Sequence, residues 1–501
     1  MSESTPVETS SDAPRSTTVE TLTADPYIEY APGPIPWVEP EIQACFPTSG
    51  PVHAYTHWVT QTTHTPSLFH LASYLVNLAQ RYASLGMRIE VQGMLHRPRL
   101  YSLLVAPSGV GKSTPIARAQ QFFEESARGH VPSPVPQSHM ITADSTPNGI
   151  QRLIHETMVP EYGNEHSMFV CEEAERLFVR SRQHPTDALF CALYDGNVSQ
   201  HVTAKNVVDA SKGQDKLSKL YAPIVSLLFA MPEASFSGEG MDRVSEAGLI
   251  PRFLVFRGSP RPPKEAQQAH PTGRAIALQS LELALEWFDQ VRAAMAAGID
   301  PWNHEAPPAD PFVRVKLSQG AREVYHRRVT VPDREAFERM VRNPSDDVRN
   351  MRSYRLRAYD QAYVIAALYA LASGVRGRST VQDHLIVQDY EMEWALNLVD
   401  LSVAYMTRKL PALGADPALR ANALLIELFE ATSTKTLKKT QVINRMEHRG
   451  IPAAATLTAL ESLILGGKVE VIAEPPTGKK GRPKVPRYVY VGEPPEDAED
   501  A

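Results

Sequence analysis

One stretch constrains this chain more than any other: Leu100-Tyr-Ser-Leu-Leu-Val-Ala-Pro-Ser-Gly-Val-Gly-Lys-Ser-Thr114. Leu103-Leu-Val105 is apolar with no polar alternation, the pattern of a central parallel strand covered on both faces. Gly109 and Gly111 follow within a few residues, and then comes Lys112-Ser113-Thr114. The order reads as strand, tight loop and helix start. Such a loop lets successive N–H groups converge on one anion, and the helix N-terminus adds free donors and a partial positive charge. Ala106-Pro-Ser-Gly-Val-Gly-Lys-Ser113 fits the P-loop pattern with one change, Ala106 standing where the first glycine is usual. The expectation is that Ser108, Gly109, Val110, Gly111, Lys112, Ser113 and Thr114 cradle the phosphates of ATP. Lys112 would reach the β- and γ-phosphates and Ser113 would hold Mg²⁺. A chance Gly/Ser turn between strand and helix is the competing reading.

A phosphate loop of this kind needs an acid at the end of a second core strand, to anchor Mg²⁺, and a neighbouring acid to orient the attacking water. Met168-Phe-Val-Cys-Glu172-Glu173 supplies both positions. Glu172 is assigned to the metal, where Asp is commoner, and Glu173 to the water. A solvated Glu pair opening a helix is the plain alternative. Thr142, Asp144 and Ser145 end an intervening strand and could face the γ-phosphate, or simply form a turn and N-cap. Arg243 and Arg252 flank the last core strand. Ring ATPases place an arginine of one subunit against the γ-phosphate of the next, and Arg252 is the choice for that catalytic role because Pro251 fixes it at a strand start. An ordinary surface arginine is the alternative. Arg355 and Arg357 are weaker candidates for a nucleotide sensor.

Along the chain, strands alternate with helices, as expected of a doubly wound parallel sheet. Residues 1–25, rich in Ser, Thr, Glu and Pro, read as a disordered tail. Residues 26–270 read as a P-loop ATPase core with an N-terminal helical extension, its helix running from Pro66 to about Leu85. Residues 271–412 read as an almost wholly helical lid. Residues 413–492 read as a winged helix: helices near 417–431, 440–447 and 453–465, then alternating strands at 468–472 and 487–491. An acidic tail, 493–501, follows. The three cysteines, Cys45, Cys171 and Cys191, form no CxxC pair, which excludes a disulfide framework or zinc ribbon and fits a reducing cytoplasm. No apolar run approaches 18 residues, so no membrane span is expected.

Charge points to a partner. Residues 433–488 hold 11 Lys/Arg and 4 Asp/Glu, a surplus of seven positive charges, while the net charge of the chain is −6. Phosphate affinity is thereby concentrated in the C-terminal unit. Lys479, Lys480, Arg482 and Lys484 crowd the tip between the two strands, and Gly-Arg-Pro there resembles an AT-hook core, which lies in a narrow minor groove. DNA, single-stranded or duplex, is the expected partner; a solvated basic loop is the alternative.

Residues from about 50 to 410 resemble a large phage- and plasmid-associated family of P-loop ATPases, whose members are described as a domain of unknown function or as the helicase part of primase–helicase replication proteins. The resemblance rests on Pro66-Ser-Leu-Phe-His-Leu-Ala, the P-loop after Arg99-Leu-Tyr, the Glu172-Glu173 strand end, Leu193-Tyr-Asp-Gly196, Gly248-Leu-Ile-Pro-Arg-Phe-Leu254 and Arg357-Ala-Tyr-Asp-Gln. It implies a RecA/DnaB-like α/β fold, an Mg²⁺-dependent ATPase that forms a homo-oligomer, with a hexameric ring as one form, and a role in replicating mobile DNA. Ala106 and Glu172 depart from the commoner Gly and Asp. No zinc-binding or acidic-triad primase module accompanies the core. Two rival expectations stand beside a helicase or initiator: a DNA-binding regulator switched by ATP without unwinding, and the ATPase of a defence or signalling system.

Overall fold

The computed structural model describes residues 35–126, 138–195, 223–236, 248–259, 271–297, 312–372, 385–409, 417–472 and 487–491, with short gaps inside these ranges. The expected tails 1–25 and 493–501, Arg243, and the basic tip with Lys479, Lys480, Arg482 and Lys484 lie outside the described residues.

Every residue of the strand Tyr101–Ala106 is buried, as its apolar run requires. It belongs to a parallel sheet ordered Ser138–Met140, Asn164–Cys171, Ile224–Pro232, Tyr101–Ala106, Leu254–Arg257. In chain order these are the second, third, fourth, first and fifth strands of the sheet, so the strand carrying the acids is separated from the P-loop strand by Ile224–Pro232. Parallel neighbours need crossovers, and helices Ser113–Ser126, Pro147–Glu156, Ala174–Arg180 and Thr186–Asp195 lie in those connections. A two-residue strand, Met158–Val159, pairs antiparallel with the start of Asn164–Cys171. The register sets Ala106 opposite Pro232, Val105 opposite Arg257 and Cys171 opposite Phe229, which gathers the carboxyl ends at one edge. Ligands of open parallel sheets bind outside that edge.

Helix Ser67–Ser84 has an apolar stripe, yet all its residues are buried. The sheet covers one side, and helices Gly50–Thr62 and Ser113–Ser126 cover another. Several of its polar side chains are satisfied within the fold: Asn77 Nδ2 donates to Ser73 O at 2.8 Å and Ser84 Oγ to Arg81 O at 2.7 Å. The amide of Gln80 pairs with the ring of His166 at 2.9 Å and lies against the Ser167 backbone, which ties this helix to the acid-bearing strand.

Two features depart from expectation. A second, four-stranded sheet orders Ile386–Val387, Val313–Leu317, Met87–Val91 and Met94–His96. Its hairpin turns through Gln92 and Gly93, both at positive φ (52° and 79°), the geometry of a two-residue hairpin loop. Val313-Arg-Val-Lys-Leu317 alternates buried and half-buried residues, a strand signal inside a region expected to be helical. Secondly, one hydrophobic core runs from Ile35 to Met406, so residues 271–412 share a core with the parallel sheet. Helix Asp389–Lys409 lies on strand Leu254–Arg257, where the Val255 N–H donates to Ser402 Oγ at 2.6 Å.

Residues 417–490 build their own core, from Ala421 to Tyr488. Helices Pro417–Glu430, Lys439–Glu447 and Ala453–Leu465 pack with a three-stranded antiparallel sheet. The two expected strands pair as a ladder, and a third, Thr436–Lys438, joins Arg487–Tyr490 from the other side. Among the described residues no helix is long and apolar enough to cross a membrane.

Candidate functional site

The loop leaving the P-loop strand needs its glycines for two different reasons. Gly109 and Gly111 hold φ of 86° and 79°, a region L side chains rarely adopt. A Cβ on Gly109 would point into open space, whereas one on Gly111 would come within 2.8 Å of Thr65 Cγ2. Thr65 itself is held by His70, its Oγ1 lying 2.6 Å from the buried imidazole Nε2. The loop amides of Val110 and Thr114 are tied to the carbonyls of Pro107 (3.4 Å) and Gly111 (3.3 Å).

Lys112 curls back on the loop: its Nζ donates to Ala106 O at 3.1 Å and Pro107 O at 3.3 Å. Burial pulls its pKa down, while the carboxylate of Glu175 works against that shift. Ser113, the first residue of its helix, donates its hydroxyl to Glu172 Oε2 at 2.7 Å. The contact spans two strands of the sheet. The assigned metal residues, Ser113 and Glu172, are thus together, and both offer hard oxygen. Among the described residues no three of His, Cys, Asp or Glu converge as a metal site. A magnesium ion fits this donor set, because it uses one or two protein oxygens and completes its shell from phosphate and water.

Glu173 is exposed and forms an i,i+3 ion pair with Arg176 at 2.7 Å. Glu175, which the sequence reading passed over, is the more enclosed acid. Its Oε2 is buried without a hydrogen-bond partner, and burial raises its pKa. The signal was present in the run Glu172-Glu173-Ala-Glu175, but three neighbouring acids do not say which one turns inward. Glu233 and Arg257 were also missed. Glu233 follows, and Arg257 ends, the two strands that flank the P-loop strand, and they pair at 2.9 Å, Arg257 Nε to Glu233 Oε1. A charged residue at the close of an apolar strand was their signal, the one that picked out Glu172.

Thr142 and Ser145 close a turn, the Thr142 N–H donating to Ser145 Oγ at 3.0 Å, and Thr146 caps the next helix by accepting from the Gly149 N–H at 3.3 Å. The Asp144 N–H donates to Thr142 Oγ1 at 3.3 Å within the same turn.

Arg252 requires correction. It ends a 3₁₀ turn just before strand Leu254–Arg257, so it lies at the amino edge of the sheet, opposite the P-loop. Its side chain is 6% exposed and grips Asp195, Nε to Oδ1 at 3.2 Å and Nη2 to Oδ2 at 2.5 Å, while Nη1 donates to Gly248 O. A residue meant to reach a neighbour's γ-phosphate needs a free guanidinium at the carboxyl edge. Arg252 instead braces the amino edge of its own sheet. Arg355 and Arg357 lie at that end too, one to two turns before Gln361, which binds Tyr101 N at 2.9 Å and Arg252 O at 3.0 Å.

No protein-family model matches the chain, and no curated protein matches it in sequence.

Proposed function

We propose that this chain is an Mg²⁺-dependent ATP hydrolase of the P-loop type that acts on DNA as an oligomer, in the manner of a replicative helicase or initiator of a phage- or plasmid-type element. The observation that carries the reading is the 2.7 Å contact between Ser113 and Glu172. It joins the loop hydroxyl suited to Mg²⁺ with the acid suited to anchor it, beside Lys112, at the edge of the sheet where ligands bind. The strand order, with one strand inserted between the P-loop strand and the acid strand, supports a RecA-like core. The three helices and antiparallel sheet of residues 417–490 support a winged helix, and the basic sequence at its tip supports DNA as partner.

In this reading the loop amides and Lys112 bind the triphosphate, and Lys112 leaves the carbonyls of Ala106 and Pro107 to do so. Ser113 and Glu172 would hold Mg²⁺, which supplies charge neutralisation on the β- and γ-phosphates when bound. Glu173 would orient the attacking water, releasing Arg176. The experiment is hydrolysis and ATP binding by Lys112→Ala, with strand displacement measured on the wild type. Hydrolysis should vanish and binding should weaken. Normal turnover in this variant refutes the nucleotide reading. Turnover without strand displacement leaves an ATP-switched DNA binder.

A further inference from the structure

Beside the P-loop a cleft of about 760 Å³ opens between the sheet's carboxyl edge and the C-terminal unit. The core contributes Leu68, Val255–Ser259 and Tyr405; the C-terminal unit contributes Leu424, Ile426, Glu427 and Ala431. Three contacts set the cleft against the phosphate loop. Gly258 N–H donates to Val105 O at 2.9 Å. Glu233, another wall residue, follows Pro232, the partner of Ala106 in the ladder. Pro66 and Ser67, also in the wall, follow Thr65, which abuts Gly111.

The walls combine apolar side chains with charged groups of both signs, Arg257, Arg408, Glu233 and Glu427 among them. This lining does not select a polyanion, whose phosphates would meet the carboxylates. It suits a flat, largely uncharged ring with hydrogen-bonding edges. Tyr405 adds a specific demand. It is 8% exposed, and its hydroxyl is buried without a hydrogen-bond partner. That hydroxyl feels the charges of Glu233, Arg257, Glu427 and Arg408, the same groups that rim the cleft. An unpaired buried hydroxyl is costly, and a ligand offering an acceptor relieves that cost.

We infer that the cleft receives the nucleobase of the nucleoside triphosphate whose phosphates occupy the P-loop. This rests on the nucleotide reading and adds the base site to it. Because both units form the walls, a bound base touches the C-terminal unit, whereas a bare phosphate chain does not. Clefts at the junction of two structural units, mostly apolar with a few convergent polar groups, are the usual form of small-ligand sites.

The test compares Mg-ATP with inorganic Mg-tripolyphosphate by calorimetry, on the full chain and two variants. Ala431→Trp fills the cleft from an exposed position, and Tyr405→Phe removes only the hydroxyl. The wild type should bind ATP at least about tenfold more tightly than tripolyphosphate, a preference of about 1.4 kcal/mol. Ala431→Trp should erase that preference and Tyr405→Phe should reduce it, with tripolyphosphate affinity unchanged in both. Equal affinity for the two ligands in the wild type, or parallel weakening of both in the variants, overturns the base site and leaves the P-loop reading standing. Binding of neither ligand overturns both.

Discussion

The hydroxyl of Ser113 donates to the carboxylate of Glu172 at 2.7 Å, although 59 residues separate them in the chain. The contact forms across Ile224–Pro232, which lies between their strands; the register sets Cys171 level with Phe229 and Leu103, midway along the P-loop strand. Glu173, the next residue, faces solvent and Arg176.

These two environments predict different failures. Glu172→Gln should weaken Mg²⁺-dependent ATP binding, since an amide is a poorer ligand for a hard cation. Glu173→Gln should bind ATP normally and turn over roughly 10²-fold more slowly, the usual loss when a positioned base is removed. Binding assays with and without Mg²⁺, beside steady-state hydrolysis, separate them. If Glu173→Gln retains full turnover while Glu175→Gln loses it, the water is oriented by the more enclosed acid.

Arg252→Ala should act on stability. It removes a bidentate partner from Asp195, which is itself 40% exposed, so the cost is on the order of 2 kcal/mol, less than for a fully buried pair. Thermal denaturation reads this directly. Folded Arg252→Ala should keep its ATP turnover, and mixing it with Glu173→Gln subunits should add none beyond that of the Arg252→Ala subunits alone. Rescue in mixed oligomers would return Arg252 to a role between subunits.

His166 makes the core sensitive to acid. Burial, with Arg81 adding to it, lowers its pKa to about 4, against about 6.5 in the unfolded chain. The unfolded state therefore binds the proton first. The contribution of neutral His166 is complete above about pH 6.5 and is lost as pH falls toward 4. At pH 5 the deficit is on the order of 2 kcal/mol. Urea denaturation at pH 7 and pH 5 should show a smaller difference in His166→Gln than in the wild type. An unchanged difference assigns the acid sensitivity to other groups.

Replacing Lys479, Lys480, Arg482 and Lys484 with Ala should weaken DNA binding and lower the salt slope by up to about four phosphate contacts. ATP hydrolysis without DNA should persist. An unaltered slope assigns the basic tip to another partner.

The chain by itself determined the local chemistry. Gly109, Gly111, Lys112 and Ser113 are neighbours, and the apolar run before them has only one comfortable place in a sheet. The strands ending at Ala106, Cys171 and Pro232, and the three helices after residue 417, were legible for the same reason: burial periodicity and turn residues act over a few positions. Tertiary structure decided what depends on register and order. Val313–Leu317 becomes a strand because Met87–Val91 lies beside it, a pairing across more than two hundred residues. Glu175 is enclosed and Glu173 exposed because helix Ala174–Arg180 is rotated by its packing, which no spacing among three acids specifies. Arg252 sits at the amino edge because its strand runs parallel to Tyr101–Ala106. A guanidinium placed before a parallel strand begins is a strand's length from a loop placed after its neighbour ends.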